Sequence, residues 1–147
     1  MNEMLIGYCG LYCGGCRICQ RTKANDPIIG DDGIPMYCDG CKSNRTTKWC
    51  TECSIKECNR KKGISICGEC NDYPCEILNG FFNDENYKYH LEVPDDMEEM
   101  KKIGIQEWAK KKERAYYCKT CNNLNNWFEQ ECQKCGSKLT NGKCECL

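Results

Sequence analysis

The spacing of the cysteines constrains this chain more than any other feature of the sequence. Eighteen of the 147 residues are Cys, a proportion above the level typical of chains that cysteine chemistry holds together. Twelve lie in residues 1–79, none in residues 80–115 and six in residues 116–147. The first four belong to the stretch Y-C-G-L-Y-C-G-G-C-R-I-C-Q, which begins at Tyr8. Any fold for this chain therefore has to bring together thiols that occur in close groups.

The composition indicates why thiols are needed for stability. Only three Phe and three Trp occur in the chain, and 29% of its residues are charged. A purely apolar core would therefore be small for this length. Disulfides and bound metals are the two sources of extra stability that cysteines offer, and disulfides persist mainly in oxidising compartments.

The N-terminal segment favours metals over disulfides. The sequence M-N-E-M-L-I-G-Y-C-G contains an acidic residue, Glu3, and has neither a basic region nor a long apolar run, so it does not resemble a secretory signal. No other segment approaches the length of a membrane span. We therefore expect a cytoplasmic protein with no membrane contact, in which C-x2-C pairs are metal ligands.

An internal repeat organises the cysteines of the first region. The sequences C-T-E-C-S-I-K-E-C, at residues 50–58, and C-G-E-C-N-D-Y-P-C, at residues 67–75, share the pattern C-x2-C-x4-C. Another pair, C-D-G-C, precedes them at residues 38–41. This spacing predicts small knuckles around metal ions. The twelve thiols would fill three sites of four, and the spacing leaves open whether neighbouring or interleaved cysteines share a metal.

Two further C-x2-C pairs predict a zinc ribbon over residues 116–140. Cys118 and Cys121 are followed, after ten residues, by Cys132 and Cys135. Two pairs joined by an insert of this length are typical of one zinc site with four thiolate ligands.

The neighbours of this ribbon leave alternatives open. Trp127 and Phe128 lie between the two pairs, where we expect them to cover the small core of the ribbon; a stacking platform for a ligand is the alternative. Cys144 and Cys146 fall in a predicted tail at residues 141–147. A frayed terminus is the simpler interpretation, and metal or thiol sensing through exposed cysteines is a weaker alternative.

The middle of the chain, residues 80–115, predicts a helical connector. A short helix is expected to begin at Pro74 or Cys75, and a longer one to run from Pro94 to about Ala115. The residues expected on one apolar face of the longer helix are Met97, Met100, Ile103 or Gly104, and Trp108. Gly104 is unfavourable in a helix and would mark a kink or break. The basic run near its end suits the helix dipole; a nucleic-acid contact is the alternative.

Zinc and iron–sulfur chemistry both fit the opening cysteines. Four thiolates are the usual ligands of structural Zn²⁺, so the chain would hold about four zinc ions. The spacing of Cys9, Cys13, Cys16 and Cys19 also resembles a bacterial ferredoxin run read in the opposite order, which makes a 4Fe-4S cluster the alternative. The radical S-adenosylmethionine motif shares part of this spacing, but the chain has no room for the partial barrel behind it. His90 is expected to face solvent and not to be a ligand.

The order of these motifs resembles a known family. The segments Y-C-G-L-Y-C-G-G-C, C-D-G-C, C-T-E-C-S-I-K-E-C and K-K-G-I-S-I-C-G-E-C-N-D-Y-P-C-E-I-L, then I-G-I-Q-E-W and W-F-E-Q-E-C-Q-K-C-G, are similar to the Cys-rich family known as domain of unknown function 3795. The resemblance implies a zinc-binding protein and brings no reaction with it. The ligands that it implies are Cys9, Cys13, Cys16, Cys38, Cys41, Cys50, Cys53, Cys58, Cys67, Cys70 and Cys75, plus Cys118, Cys121, Cys132 and Cys135. Cys19 departs from the family pattern and is an additional candidate.

Together these observations predict a small metal-stabilised α+β fold of irregular Cys knuckles, short helices and hairpins, one longer central helix and a C-terminal zinc ribbon. The expected units are a Cys-rich multi-metal domain at residues 1–79, the helical connector, the ribbon and the tail. Four zinc ions held by sixteen thiolates add about eight negative charges to a formal net charge of −1. This balance disfavours nucleic acid as a partner and leaves a protein partner as the expectation.

The function follows as two hypotheses. A non-enzymatic zinc protein would use its metals to fold and its surface to bind a partner. An iron–sulfur protein of anaerobic metabolism would transfer electrons or activate a thiol substrate at a cluster on Cys9, Cys13 and Cys16. The sequence shows no catalytic carboxylate pair, Ser/His constellation or phosphate-binding loop, so hydrolytic catalysis is not expected.

Overall fold

The computed structural model describes residues 5–144, and short helices alternate with cysteine turns along most of that length. The helices are α1 (Arg17–Lys23), α2 (Lys48–Thr51), α3 (Ser54–Lys62), α4 (Glu76–Phe82), α5 (Val93–Ile103) and α6 (Ile105–Ala115). Turns of 3-10 helix lie at Cys13–Gly15, Cys67–Glu69 and Lys88–Glu92. Two small antiparallel hairpins complete the fold, β1 (Ile28–Ile29) with β2 (Pro35–Met36) and β3 (Leu139–Thr140) with β4 (Lys143–Cys144). The predicted small α+β class is confirmed.

Cysteines stand immediately before three of the helices. Cys16, Cys53 and Cys75 are the residues that precede α1, α3 and α4, and each has an extended backbone. A residue at this place can direct its side chain toward the free N–H groups of the first helical turn. None of the three makes a side-chain hydrogen bond to that turn. The extended backbone of the cysteine at the end of each turn marks where the helix begins.

The central helix is divided into α5 and α6 at Gly104. Gly104 has φ +88° and ψ 151°, a conformation that breaks the helical hydrogen-bond ladder. The expected break is confirmed. It removes one residue from the predicted apolar face: Met97, Met100 and Trp108 are buried, whereas Ile103 is 42% exposed. Ile103 was expected among the apolar contacts and lies outside them, because the chain leaves the helix at the next residue.

One buried cluster draws side chains from the first, middle and last regions of the chain. Its members include Ile6, Tyr12, Ile55, Ile66, Leu78, Phe82, Val93, Met97, Trp108, Tyr116 and Trp127. Trp108 is fully buried, and its ring meets Tyr12 edge-on at a centroid distance of 6.3 Å. The proposed boundaries between the units at residues 1–79, 80–115, 116–140 and 141–147 stay a prediction.

Three aromatic side chains, those of His90, Trp127 and Phe128, lie elsewhere than expected. His90 is buried rather than solvent-facing; its Nδ1 atom bonds the carbonyl oxygen of Phe81 at 3.0 Å, and the two rings stack at 3.8 Å. Trp127 packs against Tyr89 at a centroid distance of 4.4 Å in the main core, while Phe128 is 52% exposed. The small core of the C-terminal region is instead closed by Leu139. The rings of His90 and Trp127 pack on partners in other elements, Phe81 and Tyr89, and local sequence patterns do not reveal such partners.

None of the helices within residues 5–144 has the length and apolar character needed to cross a membrane.

Candidate metal centre

Four cysteines near the C-terminus converge on one point. The Sγ atoms of Cys118, Cys121, Cys132 and Cys135 all lie within 4.8 Å of one another. The distance from Cys118 Sγ to Cys135 Sγ is 3.5 Å, and that from Cys121 Sγ to Cys132 Sγ is 3.7 Å. A tetrahedral zinc ion with Zn–S bonds of about 2.3 Å separates its sulfurs by about 3.8 Å. The donor set and its spacing therefore fit a metal ion, and we call these four residues the C-terminal cluster.

Two equivalent turns build the C-terminal cluster. In the first, the Cys118 amide donates to the carbonyl of Asn123 at 2.8 Å, and the Asn122 amide donates to the carbonyl of Cys118 at 2.7 Å. The second turn repeats both bonds with the same offsets, from Cys132 to Ser137 and from Gly136 to Cys132, each at 2.8 Å. Asn122 and Gly136 occupy the equivalent left-handed position, with φ of +62° and +78°.

The use of Asn122 in this turn was not anticipated from the sequence. Asn is the residue after Gly that most readily adopts a left-handed backbone. An Asn that follows a C-x2-C pair directly was therefore an available signal for the first knuckle, just as Gly136 was for the second.

Backbone amides make the C-terminal cluster suitable for thiolates. Hydrogen bonds from the amides of Cys121 and Thr120 lower the pKa of Cys118 to about 6. The amides of Cys135 and Lys134 likewise lower the pKa of Cys132. Since a deprotonated sulfur is the form that binds metal, these amides favour the metal-binding form of Cys118 and Cys132.

A fifth thiol lies beside the C-terminal cluster. Cys144, which was assigned to a frayed tail, lies in β4 and packs against the cluster. Its Sγ accepts a hydrogen bond from the Lys119 amide at 3.3 Å. Cys146, the other cysteine of the predicted tail, lies outside the described residues.

The N-terminal thiols are gathered more loosely than the C-terminal cluster. Within residues 5–144, the C-terminal cluster is the one group of three or more Cys, His, Asp or Glu ligand atoms that are mutually within 4.8 Å. The cysteines between residues 9 and 75 instead act on one another's pKa in three overlapping groups. We name these the first, second and third groups.

The first group surrounds Cys9. Cys13, Cys41 and Cys53 are the cysteines that act electrostatically on the thiol of Cys9. Gly7 lies against two of these residues, since a Cβ at Gly7 would be 3.4 Å from Cys9 Sγ and 3.8 Å from Cys41 Cβ. Burial raises the pKa of both Cys9 and Cys41. Burial therefore favours the neutral thiol at both positions, and either residue would become a thiolate only beside a cation such as a metal ion.

The second group surrounds Cys19. Interaction with the thiols of Cys13, Cys16 and Cys38 raises the pKa of Cys19. Cys38 acts on the pKa of Cys50 in the same way. Cys19, which the family resemblance left as an additional candidate, is therefore at the centre of a thiol group.

A cavity of about 330 Å³ reaches this second group. Cys19 and Cys38 both line it, together with Gln20, Lys23 and Glu113. The thiols at its edge are therefore the N-terminal sulfurs that a small solute could approach through this cavity.

The third group follows α3 along the chain. Cys67 has Cys58, Cys70 and Cys75 as its thiol neighbours. Asn59 Nδ2 donates to Cys67 Sγ at 3.0 Å, and Lys62 Nζ donates to Cys70 Sγ at 3.0 Å. The ammonium group of Lys62 lowers the pKa of Cys70. The two turns of the C-x2-C-x4-C repeat therefore do not form equivalent groups, because only the second turn receives these donors.

The polar residues of α3 were not predicted as part of any site. Lys56, Asn59 and Lys62 recur at every third position, which places them on one side of the helix. Lys56 is only 5% exposed, and its charge acts on Cys41 of the first group. The spacing K-x2-N-x2-K within a Cys-rich stretch was the available sequence signal.

Comparison with known proteins identifies one family. The model of the family described as Protein of unknown function (DUF3795) matches residues 5–80. The match contains all three N-terminal groups and ends before α5, so the similarity noted in I-G-I-Q-E-W and in the ribbon lies outside it. No curated protein and no solved structure gives a significant match.

Proposed function

We propose, since the chain belongs to the DUF3795 family of proteins of unknown function, that it is a zinc-binding protein whose four-thiolate sites stabilise the fold and present a surface to a partner protein. The observation that carries this proposal is the C-terminal cluster, in which four sulfurs converge within 4.8 Å. Four thiolates in tetrahedral arrangement form a closed site, and closed sites of this kind serve structure rather than catalysis.

The neighbours of the opening cysteines favour zinc over an iron–sulfur cluster. A 4Fe-4S cluster on Cys9, Cys13 and Cys16 requires these three sulfurs to face one centre. Cys9 is instead surrounded by Cys13, Cys41 and Cys53, whereas Cys16 interacts with Cys19 and Cys38. These different neighbours are what we expect if the three opening cysteines do not share one cluster.

A partner protein fits the charge of the loaded chain better than nucleic acid does. Four zinc ions bound by thiolates make the chain more negative by about eight charges, and a nucleic-acid backbone needs a positive surface. The basic run at the end of α6 is already engaged: Lys110 pairs with Glu107 at 3.2 Å and Lys112 with Asp96 at 2.8 Å. Lys111 forms a further ion pair, with Glu99.

Metal analysis tests the proposal directly. The full chain, purified without oxygen, is expected to contain about four zinc ions and to show no visible absorption band. Iron accompanied by acid-labile sulfide and a brown colour would contradict the zinc proposal and support the iron–sulfur hypothesis. Metal-free protein that keeps its circular dichroism spectrum would contradict a structural role for any metal.

A further inference from the structure

We propose that the exposed rings of Tyr87 and Phe128 form a docking surface for a basic segment of a partner protein, whose Arg or Lys side chains lie on these rings. We call the two side chains the aromatic patch. Tyr87 is 42% exposed and Phe128 is 52% exposed. This inference rests on the proposed function and specifies the chemistry of the partner.

The two rings of the aromatic patch are neighbours in space although they are far apart in sequence. Both pack edge-on against Tyr89, which is buried. The centroid of the Tyr89 ring lies 6.1 Å from that of Tyr87 and 5.4 Å from that of Phe128. Single exposed apolar side chains are common on protein surfaces, whereas apolar groups gathered in one patch mark interaction sites.

A buried layer of rings holds the aromatic patch in place. Tyr87 stacks on His90 at a centroid distance of 5.1 Å. Trp127, which precedes Phe128, stacks on Tyr89 at 4.4 Å. His90, Tyr89 and Trp127 are all buried. Because these supports fix the exposed rings, little side-chain freedom is lost when a partner binds, and such preorganisation favours affinity.

The C-terminal region supplies half of the aromatic patch. Trp127 and Phe128 lie between Cys121 and Cys132 of the C-terminal cluster. The Phe128 amide donates to Asn126 Oδ1 at 3.1 Å, which forms a tight turn at the tip of this insert. The patch is therefore complete only where the C-terminal region is folded onto the helical middle of the chain.

The charges beside the aromatic patch favour a basic partner. Asp84 and Glu85 precede Tyr87 in one turn, whose Tyr87 amide donates to the Asp84 carbonyl at 3.1 Å. Glu129 directly follows the other ring of the patch, and Lys88 is the basic neighbour in sequence. Among the residues that the structure describes, none of the three carboxylates forms an ion pair. A cationic segment would therefore find unpaired negative charge beside the rings.

The rings of the aromatic patch differ from other rings of the chain in having no cation of their own. A cation over an aromatic face is attracted by the ring quadrupole. Elsewhere a Lys or Arg side chain lies 4.8–5.8 Å from the ring centroids of Tyr8, Tyr37, Tyr73, Trp108 and Tyr116. Within residues 5–144, neither ring of the patch has such a contact, so a partner can supply the cation.

Two other occupants fit the aromatic patch less well. Nucleic-acid bases also stack on aromatic rings, but the carboxylates beside the patch repel phosphate. A second copy of this chain would have to offer its own basic run. Lys110, Lys111 and Lys112 of that run already form ion pairs, which such an association would have to break.

Peptide binding to the zinc-loaded full chain tests the inference. The probe is the capped peptide G-R-G-R-G-R-G, and its counterpart carries citrulline, which has a similar shape and no charge, in place of each arginine. We expect saturable shifts of the Tyr87 and Phe128 ring protons with the arginine peptide, measured by NMR, and none with the citrulline peptide. Shifts that leave both rings unchanged would overturn the inference.

Variants separate the rings from the surrounding charge. Phe128→Ala is expected to weaken binding of the arginine peptide by about two- to fivefold, the range of a cation–π contact at an exposed site. The control is Trp49→Ala, which removes a ring that is 68% exposed outside the patch and should leave the affinity unchanged. Equal effects of the two variants would overturn the inference. If Phe128→Ala loses zinc, Tyr87→Ala takes its place in the comparison.

The alternative occupants and the proposed function have separate readouts. A single-stranded thymidine oligonucleotide that shifts the two rings, or a dimer of the natural chain that Phe128→Ala dissociates, would overturn the inference. About four zinc ions in the natural chain without peptide at the patch would do the same and leave the stabilising role of zinc intact. Iron in place of zinc would refute the proposed function itself.

Discussion

Gly104 separates α5 from α6 in a backbone conformation that residues with a side chain rarely adopt. Its φ is +88° and its ψ is 151°. No atom lies within 4 Å of the place a Cβ would occupy, so the constraint comes from the backbone itself and not from crowding. The break allows Trp108 on α6 to be fully buried while α5 buries Met97 and Met100.

We expect Gly104→Ala to lower the free energy of unfolding by about 1–3 kcal/mol, the usual cost of this region of backbone space for a residue other than Gly. The matched control is Gly80→Ala, which also has open space around its Cβ position but lies within α4. That variant should be more stable by about 0.5–1 kcal/mol. Denaturant unfolding measures both, and equal effects would show that the conformation of Gly104 is not constrained.

At the scale of elements, α3 supplies hydrogen-bond donors to two sulfurs and carries one of the predicted ligands, Cys58. It carries Cys58, Asn59 and Lys62 within two turns, and the last two donate hydrogen bonds to the sulfurs of Cys67 and Cys70. A zinc ion held by four thiolates carries two excess negative charges, which nearby donors and cations stabilise. The helix is therefore expected to contribute to how tightly the third group retains its metal.

Lys62→Met should release zinc from the third group faster, by up to about tenfold, which is the lower end of the effect of residues that support metal ligands. Lys61→Met is the control, because Lys61 is the adjacent lysine and pairs with Glu57 at 3.2 Å on the exposed surface. Such surface pairs contribute little. Zinc transfer to a chromophoric chelator measures the rates. Identical rates for the two variants would mean that the Lys62 contact does not affect metal retention.

At the scale of the whole molecule, the C-terminal region is joined to the opening motif. The Trp127 amide donates to the Gly15 carbonyl at 3.0 Å, and Gln20 Nε2 donates to the Asn125 carbonyl at 2.7 Å. Asn141 Nδ2 adds a bond to Glu92 at 2.9 Å. These contacts join the C-terminal region to the segment that carries the opening cysteines.

Cys132→Ser is therefore expected to destabilise more than the C-terminal region. Loss of the metal at the C-terminal cluster should lower Tm by about 2–4 °C for each kcal/mol lost, and hydrogen exchange should increase in α1 as well as in residues 116–140. Cys144→Ser is the control, since Cys144 lies beside the cluster without belonging to it, and it should retain the zinc. Exchange that increases only in residues 116–140 would show that this region unfolds independently.

The sequence by itself determined the local features of this protein. The short turn between the cysteines of a C-x2-C pair is made by neighbouring residues, so Cys118, Cys121, Cys132 and Cys135 were identifiable as one cluster. The break at Gly104 and the helix that follows Cys75 were predictable for the same reason. Each depends on backbone preferences and hydrogen bonds that span only a few residues.

Only the tertiary structure decided which distant groups meet. Nothing in the spacing of the cysteines places Cys41 beside Cys9. In the folded chain both residues lie against Gly7. The burial of His90 against Phe81 and the packing of Trp127 on Tyr89 likewise depend on how the helices pack. Periodicity reports which side of an element is apolar, but the partner across the core is selected by packing of the whole chain.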